Sequence, residues 1–330
     1  MKHIASAGLH RHTCTRTTAG ASPNIRKHHV PDHQKNLQGY LAATATLVIW
    51  TSFVLVSRLG GKSVLTPYDV LALRLITASL ILLPLSASLL RSGEWRDRRL
   101  WSLSMIGGLI YGVLVYGGFK YAPAAHGGIL LSGMQPFLIT AAVWLIAGTR
   151  PSRIRSIGLA GIAIGVFCAA VPYFTHWSTD TLLGDALLLL SSVAWALYSV
   201  LAKRWGYSPW TLTRAVALGS AIIYLPIYAL WLPTQLAAAP LSMIIMQGLF
   251  QGIGATILAM IFFLRAVASL GPERTAAFLA LVPVAAGVLA VPLLGEPLTG
   301  WLMSGLVFVS LGAYIASRPA PHSFSNPLRS

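Results

Sequence analysis

The 330-residue sequence has little charge. Its 24 Lys and Arg and 8 Asp and Glu make up 10% of the chain, against roughly 25% in a soluble domain. Hydrophobic residues reach 55%, and the mean hydropathy is +0.70. A soluble enzyme, a coiled coil and a disordered regulator are excluded, because a surface of this composition could not be kept in water. The composition indicates a chain whose solvent is lipid.

Cysteine is also scarce. Cys14 and Cys168 lie far apart in unlike settings, so they predict neither a disulfide framework nor a metal site. The stretch at residues 28–33 contains three His and one Asp, but Pro31 breaks any helical pairing of ligands four residues apart. We therefore predict no metal site and no cofactor.

Residues 1–36 differ in composition from the rest of the chain. They carry six Lys or Arg against one acid, and six of the nine His. No apolar stretch of signal-peptide length occurs there, and a transit peptide is the weaker alternative. We predict a basic, His-rich, disordered cytoplasmic tail, which leaves open whether it belongs to the mature protein.

Long apolar runs fill the remainder, interrupted by Gly, Pro and basic clusters. A membrane-spanning helix needs about 20 apolar residues. The runs predict an all-α polytopic membrane protein with ten spans, near residues 38–58, 67–90, 100–119, 123–147, 154–174, 183–203, 210–232, 241–264, 272–294 and 300–317.

The net charge of +16 is interpreted as membrane topology, not as a nucleic-acid footprint. With the amino terminus in the cytoplasm, nineteen of the 24 basic residues fall on the cytoplasmic side, three on the opposite side and two inside spans. This asymmetry predicts an even number of spans with both termini in the cytoplasm. The carboxy-terminal tail at 318–330 is therefore also predicted to be cytoplasmic.

The two halves of the chain repeat. Pro136, Gly148, Gly158 and Gly165 each recur 147 residues later, and Trp50 recurs as Trp195, 145 residues later. We predict one five-helix repeat at 37–175 and a second at 182–317. Because five is odd, the second copy is inverted, which is typical of secondary transporters whose binding site lies near the midplane.

Several stretches resemble one family. Span 1 contains the run LVIWTSF at 47–53, span 4 contains SGMQPF at 132–137, span 6 contains GDA at 184–186 and AWALY at 194–198, and LVP at 281–283 is followed by LGEPL at 294–298. In this order and spacing, together with Arg74 in span 2, they resemble the EamA-type members of the drug/metabolite transporter superfamily. The resemblance covers roughly residues 38–317.

The resemblance implies transport of a small solute by alternating access, often export of amino acids, metabolites or drugs. It also implies a bacterial inner membrane and no enzymatic activity. One departure is the sequence Gly148-Thr149-Arg150 in the first half, where the family usually has an acidic residue after the Gly. The second half keeps that acid as Glu296.

Polar and aromatic residues inside spans are the candidates for substrate binding, because buried charge and unpaired amides are costly in lipid. Arg74 could hold an anionic group or serve a structural role. Gln247 and Gln251 are four residues apart and share a helix face. The full set predicted to bind substrate is Trp50, Arg74, Tyr111, Gln135, Trp195, Tyr198, Gln247 and Gln251.

Two titratable residues are candidates for proton coupling. Glu273 follows Pro272 at the start of span 9, and the 147-residue offset places it opposite His126 at the start of span 4. His titrates near neutral pH. The alternative for Glu273 is a stabilising position at a helix amino terminus.

Central carboxylates are missing from the spans, which weighs against lipophilic cations as substrates. We predict a secondary transporter of small neutral or zwitterionic metabolites such as amino acids, acting as a monomer or homodimer, with the proton as the candidate coupling ion. A passive facilitator is the alternative. An intramembrane enzyme is remote, because Ser132 and His126 are six residues apart on one helix and point in different directions.

Overall fold

The computed structural model describes residues 32–60, 63–122, 127, 129–171, 179–294 and 300–318, and these residues form helices and connections with no strand. The main helices are α1 (Asp32–Gly60), α2 (Pro67–Leu82), α3 (Arg98–Tyr121), α4 (Ile129–Ala147), α5 (Arg153–Ala170), α6 (Thr179–Trp205), α7 (Pro209–Trp231), α8 (Leu241–Leu270), α9 (Pro272–Leu279), α10 (Val282–Leu294) and α11 (Gly300–Ser317).

Shorter helices lie in the connections. Ala87–Arg91 is a short α-helix, and Pro84–Ser86, Glu94–Arg96 and Leu236–Ala238 are 3-10 turns. Every predicted span contains a helix in the described part of the chain. Helix α1 begins at Asp32, inside the predicted tail; the rest of that tail and residues 319–330 lie outside the described residues.

Three of the long helices contain π-helical segments, at Met105–Ile110 in α3, Ile129–Gly133 in α4 and Phe250–Leu258 in α8. In a π-helix the backbone hydrogen bond reaches five residues instead of four, and such segments are often found at functional sites. The segments in α3 and α8 begin 145 residues apart, which is the offset between Trp50 and Trp195.

Seven of the described helices are long and apolar enough to cross a membrane: Asn36–Val56, Arg98–Tyr121, Ile129–Ala147, Leu182–Trp205, Pro209–Trp231, Leu241–Leu270 and Pro272–Leu289. Their outer surfaces are apolar, as shown by Leu145 at 83% exposure and Trp231 at 73%. The hydroxyls of Ser191 and Ser199 are buried and donate to backbone carbonyls within their own helix. Apolar groups outside and buried hydroxyls that bond within their own helix fit a chain surrounded by lipid.

The helix starts use the sequence signals of their own first turns. Thr66 and Asp69 form a capping box before α2, and Ser208 caps α7 through the backbone N–H of Thr211. Both helices have Pro at the first helical position, where its missing N–H costs no hydrogen bond. The starts of α2 and α7 are therefore built alike.

Contacts between helix ends define two opposite faces of the molecule. On the first, called the Asp69 face, the carboxylate of Asp69 accepts hydrogen bonds from Tyr228 at the end of α7 and from Thr234 and Gln235 beyond it. The α2 start and the α7 end therefore lie at this face. Gly184, near the start of α6, lies close against the backbone of Tyr121 and Ala122 at the end of α3.

The opposite face, called the Glu273 face, gathers other helix ends. Glu273 at the start of α9 forms an ion pair with Arg155 at the start of α5. Arg204 at the end of α6 donates to the carbonyl of Ile146 at the end of α4, at 2.9 Å. The end of α6 is also held by a hydrogen bond from Tyr207 to Asp97, which precedes α3.

Small residues permit the closest helix contacts. A Cβ built on Gly165 of α5 would lie 2.6 Å from the backbone N of Val309 in α11, and one on Gly312 would lie 2.5 Å from the backbone N of Ile162. A similar contact joins Gly39 of α1 to Leu270 at the end of α8. Because Gly165 and Gly312 meet backbone atoms, the contact between α5 and α11 is one that only a residue without Cβ allows, as is common between helices in membranes.

Candidate functional site

A cavity lies where α1, α2, α3, α4, α6 and α8 meet. The space within it that is open to the centre of a water-sized sphere is about 40 Å³. Its lining consists of Trp50, Phe53, Val54, Arg74, Tyr111, Gly127, Leu131, Ser132, Gln135, Trp195 and Ala255. Because these residues come from the second half of α1, the first half of α2 and the start of α4, the cavity is displaced toward the Asp69 face.

Aromatic rings form one wall of the cavity. The rings of Trp50 and Trp195 meet edge to face with centroids 5.7 Å apart, and Tyr111 lies 4.8 Å from Trp195. Trp195 is 6% exposed and packs on Phe263 and Tyr198 behind it. Since Trp50 and Trp195 occupy matching positions in the two halves, the wall contains the same residue from each half.

Arg74 is the charged residue of the described lining. Its Nε donates to Thr256 Oγ1 at 2.5 Å, and its Nη1 donates to the hydroxyl of Tyr116 at 3.4 Å. Both acceptors are themselves held in place, because Thr256 donates to the backbone carbonyl of Gln251 at 2.7 Å and Tyr116 donates to Gln251 Oε1 at 3.1 Å. In the described part of the chain no carboxylate lies within ion-pair distance of Arg74.

The predicted pair Gln247 and Gln251 lies behind Arg74 and does not line the cavity. Both side chains are almost completely buried, and Gln251 Nε2 donates to Gln247 Oε1 at 3.3 Å. Gln247 Nε2 has no hydrogen-bond partner among the described residues. The pair therefore acts on the cavity indirectly, because Gln251 holds Tyr116 and Thr256, which accept hydrogen bonds from the Arg74 guanidinium.

Gln135 lines the cavity from α4, at the first residue of the α-helical part that follows the π-helical segment. Its Nε2 donates to the backbone carbonyl of Ser192 in α6 at 3.3 Å. Its Oε1 is buried and has no partner among the described residues. Because the carbonyl of Ser192 can only accept, the amide orientation is determined by chemistry: nitrogen toward α6 and oxygen unpaired.

Three predicted residues fall elsewhere. Tyr198 is fully buried beneath the aromatic wall, with its hydroxyl 3.5 Å from Met260 Sδ, and is not in the lining. Glu273 lies at the Glu273 face in its ion pair with Arg155. His126 lies outside the described residues. The structure thus brings together Trp50, Arg74, Tyr111, Gln135 and Trp195 from the predicted set.

Sequence reasoning missed Thr256, the nearest hydrogen-bond partner of Arg74. In an α-helix, residues three or four positions apart share a face. Thr256 is five residues after Gln251, and it lies beside it because this part of α8 is π-helical, so the usual spacing did not indicate it. Phe53 and Val54 are apolar residues of a membrane-spanning helix, so nothing in the sequence distinguishes a position that faces the cavity from one that faces lipid.

Comparison with known proteins identifies the family. The sequence profile of the EamA-like transporter family matches residues 37–171 and 182–318. The chain is 28% identical to the uncharacterized transporter YvbV of Bacillus subtilis over 69% of this chain and 75% of that protein. It is 24% identical to an uncharacterized transporter of Archaeoglobus fulgidus over 86% of this chain and 98% of that protein.

A solved crystal structure shares the fold. It superposes with a TM-score of 0.65 at 21% sequence identity and covers 86% of this chain and 96% of its own. The two profile matches together span most of the sequence and include every described residue that lines the cavity. The chain therefore belongs to the EamA-like transporter family, a membrane transporter within the drug/metabolite transporter superfamily.

Proposed function

We propose that the protein is a secondary transporter that exports small neutral or zwitterionic metabolites, such as amino acids, by alternating access. The observation that carries the proposal is the cavity itself. Its described lining combines an aromatic wall with the cation Arg74 and the amide side chain of Gln135, and pockets with apolar and aromatic walls and a few polar groups bind small organic solutes.

The opposite end of the cavity is filled by packed side chains, as alternating access requires. Leu264, Val267, Leu279 and Val282 are buried together there, between the aromatic wall and the Glu273 face. The arrangement corresponds to a transporter open toward one side only. A conformational change that separates this cluster would expose the site to the other side.

We further propose ten membrane spans in two inverted five-helix repeats, with both termini in the cytoplasm of a bacterial cell and the chain in its inner membrane. The packing supports the inversion, because α1 packs on the end of α8 through Gly39 and α6 packs on the end of α3 through Gly184. With the predicted topology, the Glu273 face is cytoplasmic and the cavity opens outward.

Proton coupling through His126 and Glu273 belongs to the same proposal. Glu273 has a carboxylate that a proton could neutralise, and its neutralisation would remove the attraction to Arg155. The alternative is a passive facilitator, which is favoured by the absence of a carboxylate from the described cavity lining.

The test is solute flux in proteoliposomes, with a panel of amino acids, amines and organic anions and with or without an imposed pH gradient. We expect gradient-driven flux of one class, lost in Trp195→Ala and kept in Trp231→Ala, a matched variant of a Trp that is 73% exposed. Flux that ignores the gradient would favour the facilitator. Absence of flux for the whole panel would contradict the proposal.

A further inference from the structure

We propose that an anionic phospholipid binds in a groove between α2, α3 and α7. One acyl chain lies along the groove, and the phosphate lies at the arginines around the start of α3. The groove and the central cavity share none of their described lining residues. The lipid site is therefore separate from the solute site, and its existence does not depend on what the protein transports.

The groove is apolar and opens on the outer surface of the molecule. The space within it that is open to the centre of a water-sized sphere is about 420 Å³. Its walls are the end of α2, the connection after α2, the first turns of α3 and one side of α7. The lining residues Leu83 and Ile222 are 58% and 64% exposed, so the groove faces lipid.

The groove exists because α2 is short. Helix α2 has 16 residues and is about 24 Å long at helical rise, less than the hydrocarbon core of about 30 Å. Pro84 follows its end and has no N–H to continue the helical ladder. Helix α7, with 23 residues, extends beyond the end of α2, and the space beside it is left open.

The length of the groove fits one acyl chain. Its lining residues on α7 extend from Ala215 to Pro226, which is about 16 Å at helical rise. This is about half of the hydrocarbon core, the depth of one leaflet. A partner helix that crosses the membrane would need a groove of the full thickness, so the length favours a lipid chain over a helix.

The mouth of the groove lies at the Glu273 face and has the residues of a lipid head-group region. Trp95 and Trp101 line it, and Trp101 Nε1 donates to the backbone carbonyl of Trp95 at 2.7 Å. Trp is enriched at the level of the head groups. Arg96 lies over the Trp95 ring at 5.2 Å, and Arg98 precedes Trp101 by three residues and shares its helix face.

Charge complementarity selects an anionic head group. Residues 91–99 contain four Arg against Glu94 and Asp97, and Asp97 accepts a hydrogen bond from Tyr207. Basic residues at the end of a groove between membrane helices attract phosphate head groups. A second copy of the chain seated on the same surface would bring the same arginines together, because a two-fold contact pairs each patch with itself.

Arg214 adds positive charge behind the mouth. It is 5% exposed and donates to the carbonyl of Leu85 at 3.1 Å and to Ser88 Oγ at 2.8 Å. Both acceptors are neutral, so they leave its charge in place. They lie in the connection between the lining residues Leu83 and Leu89, and Arg214 thus holds the rim of the groove in position before a lipid arrives.

The experiment is native mass spectrometry of the purified full-length protein, titrated with phosphatidylglycerol or phosphatidylcholine of identical acyl chains. Glycerol phosphate, which has no acyl chain, is the third probe. We expect one phosphatidylglycerol to bind at least about 10-fold more tightly than phosphatidylcholine. Glycerol phosphate should not bind at the same concentrations, because the acyl chain supplies most of the contact.

Arg96→Gln combined with Arg98→Gln should weaken phosphatidylglycerol about 10-fold and leave phosphatidylcholine unchanged. Arg150→Gln combined with Arg153→Gln is the matched control. It removes two exposed positive charges at the same face, between α4 and α5, and should bind both lipids like wild type. Size-exclusion profiles show whether each variant is folded.

Ile222→Trp supplies an independent readout, because the larger side chain narrows the groove without touching the arginines. It should weaken both lipids about 10-fold, the equivalent of about two buried methylene groups. Leu145→Trp places the same side chain at a position of α4 that is 83% exposed, and it should leave lipid binding unchanged.

Four outcomes would overturn the proposal. Equal affinity for the two lipids would remove the anionic head group, and equal losses in the two arginine pairs would mean general attraction to the surface. Glycerol phosphate binding as tightly as phosphatidylglycerol would identify a site for free phosphate. Unchanged lipid binding in Ile222→Trp, or conversion of a dimer to a monomer by this variant, would assign the groove to another occupant.

Discussion

At the scale of single residues, the side chain of Asp69 takes part in more hydrogen bonds than any other described side chain. Its side chain is completely buried and accepts from Tyr228 at 2.6 Å, from Thr234 at 2.8 Å and from the backbone N–H groups of Thr66 and Gln235. A buried carboxylate with this many donors is stabilising only while all partners are kept. It joins the start of α2 to the end of α7.

Replacing Asp69 with Asn should therefore destabilise the protein, because one acceptor oxygen becomes a donor facing other donors. We expect a loss of about 2–3 kcal/mol, which lowers the thermal unfolding midpoint in detergent by roughly 5–10 °C. Asp180→Asn is the matched control, since Asp180 is exposed at the start of α6. Equal midpoints for wild type and Asp69→Asn would contradict this role.

The hydrogen bond between Tyr207 and Asp97 joins α6 to the segment before α3 and has its own pH signature. This bond lowers the pKa of Asp97 below its ordinary value. Burial, and secondarily the same bond, raises the pKa of Tyr207 to about 12. The carboxylate thus stabilises the fold above its ordinary pKa and loses this effect as the pH falls through the lowered value.

For Tyr207 the sign is opposite. The unfolded chain releases the phenol proton near pH 10, whereas the folded protein keeps it to about pH 12, so stability is lost as the pH rises between these values. The stability advantage of wild type over Tyr207→Phe should be largest at intermediate pH and should shrink at both ends. Thermal unfolding of both proteins from pH 3 to pH 12 measures it, and a constant difference would contradict it.

At the scale of elements, the contact between α5 and α11 depends on backbones that touch. Gly165 and Gly312 meet the partner helix at the backbone itself, so a methyl group cannot be accommodated by a side-chain rotation. Gly165→Ala would place a Cβ 2.9 Å from the carbonyl oxygen of Gly305.

We expect Gly165→Ala to cost about 1–3 kcal/mol through forced separation of the helices. Gly300→Ala is the matched control, because a Cβ there has no neighbour within 4 Å. Its unfolding midpoint should equal that of wild type or exceed it slightly, since Ala favours the helix. The measurement is thermal unfolding in detergent. A larger loss in the control than in Gly165→Ala would refute close packing as the cause.

The π-helical segments belong to the same scale. They rotate the following residues relative to an α-helix, and in α8 this brings Thr256 against Arg74. Apolar periodicity predicts that α8 is a helix, but it carries no information on whether the hydrogen bonds run over four residues or five. The contact between Thr256 and Arg74 therefore depends on a local π-helical segment that the pattern of apolar residues does not predict.

At the scale of the whole molecule, we propose a cavity that is accessible from one face and closed by packing at the other. Val54 lines the cavity, whereas Leu279 is 2% exposed in the opposite cluster. In a background with Cys14→Ser and Cys168→Ser, Val54→Cys should react with a membrane-impermeant thiol reagent. Leu279→Cys should react at least about 10-fold more slowly, because the alternative conformation is a minor population.

Adding a transported solute should slow the reaction of Val54→Cys by occupying the cavity. Applying the reagent to right-side-out and inverted vesicles identifies the face at which the cavity opens. Equal reaction rates for the two cysteines would contradict a cavity that is closed at one end.

Sequence alone was enough to predict an all-helical membrane protein and its family, but not every helix boundary: the predicted span 272–294 is divided into α9 and α10. Sparse charge, apolar runs and helix starts such as Thr66-Pro67 are local properties, so they can be predicted without knowing which helices touch. The 145-residue offset between Trp50 and Trp195 singles both out in the sequence, and both line the cavity; that they bind substrate stays a prediction.

Which polar groups reach the cavity and which support it depends on how distant helices pack, so it could not be predicted from the sequence. Gln247 and Gln251 share a face as predicted, but that face packs behind Arg74 and not on the cavity. Glu273 meets Arg155, 118 residues earlier in the chain, at a face far from the aromatic wall. The spacing along one helix defines a face, whereas the neighbour of that face depends on how distant helices pack.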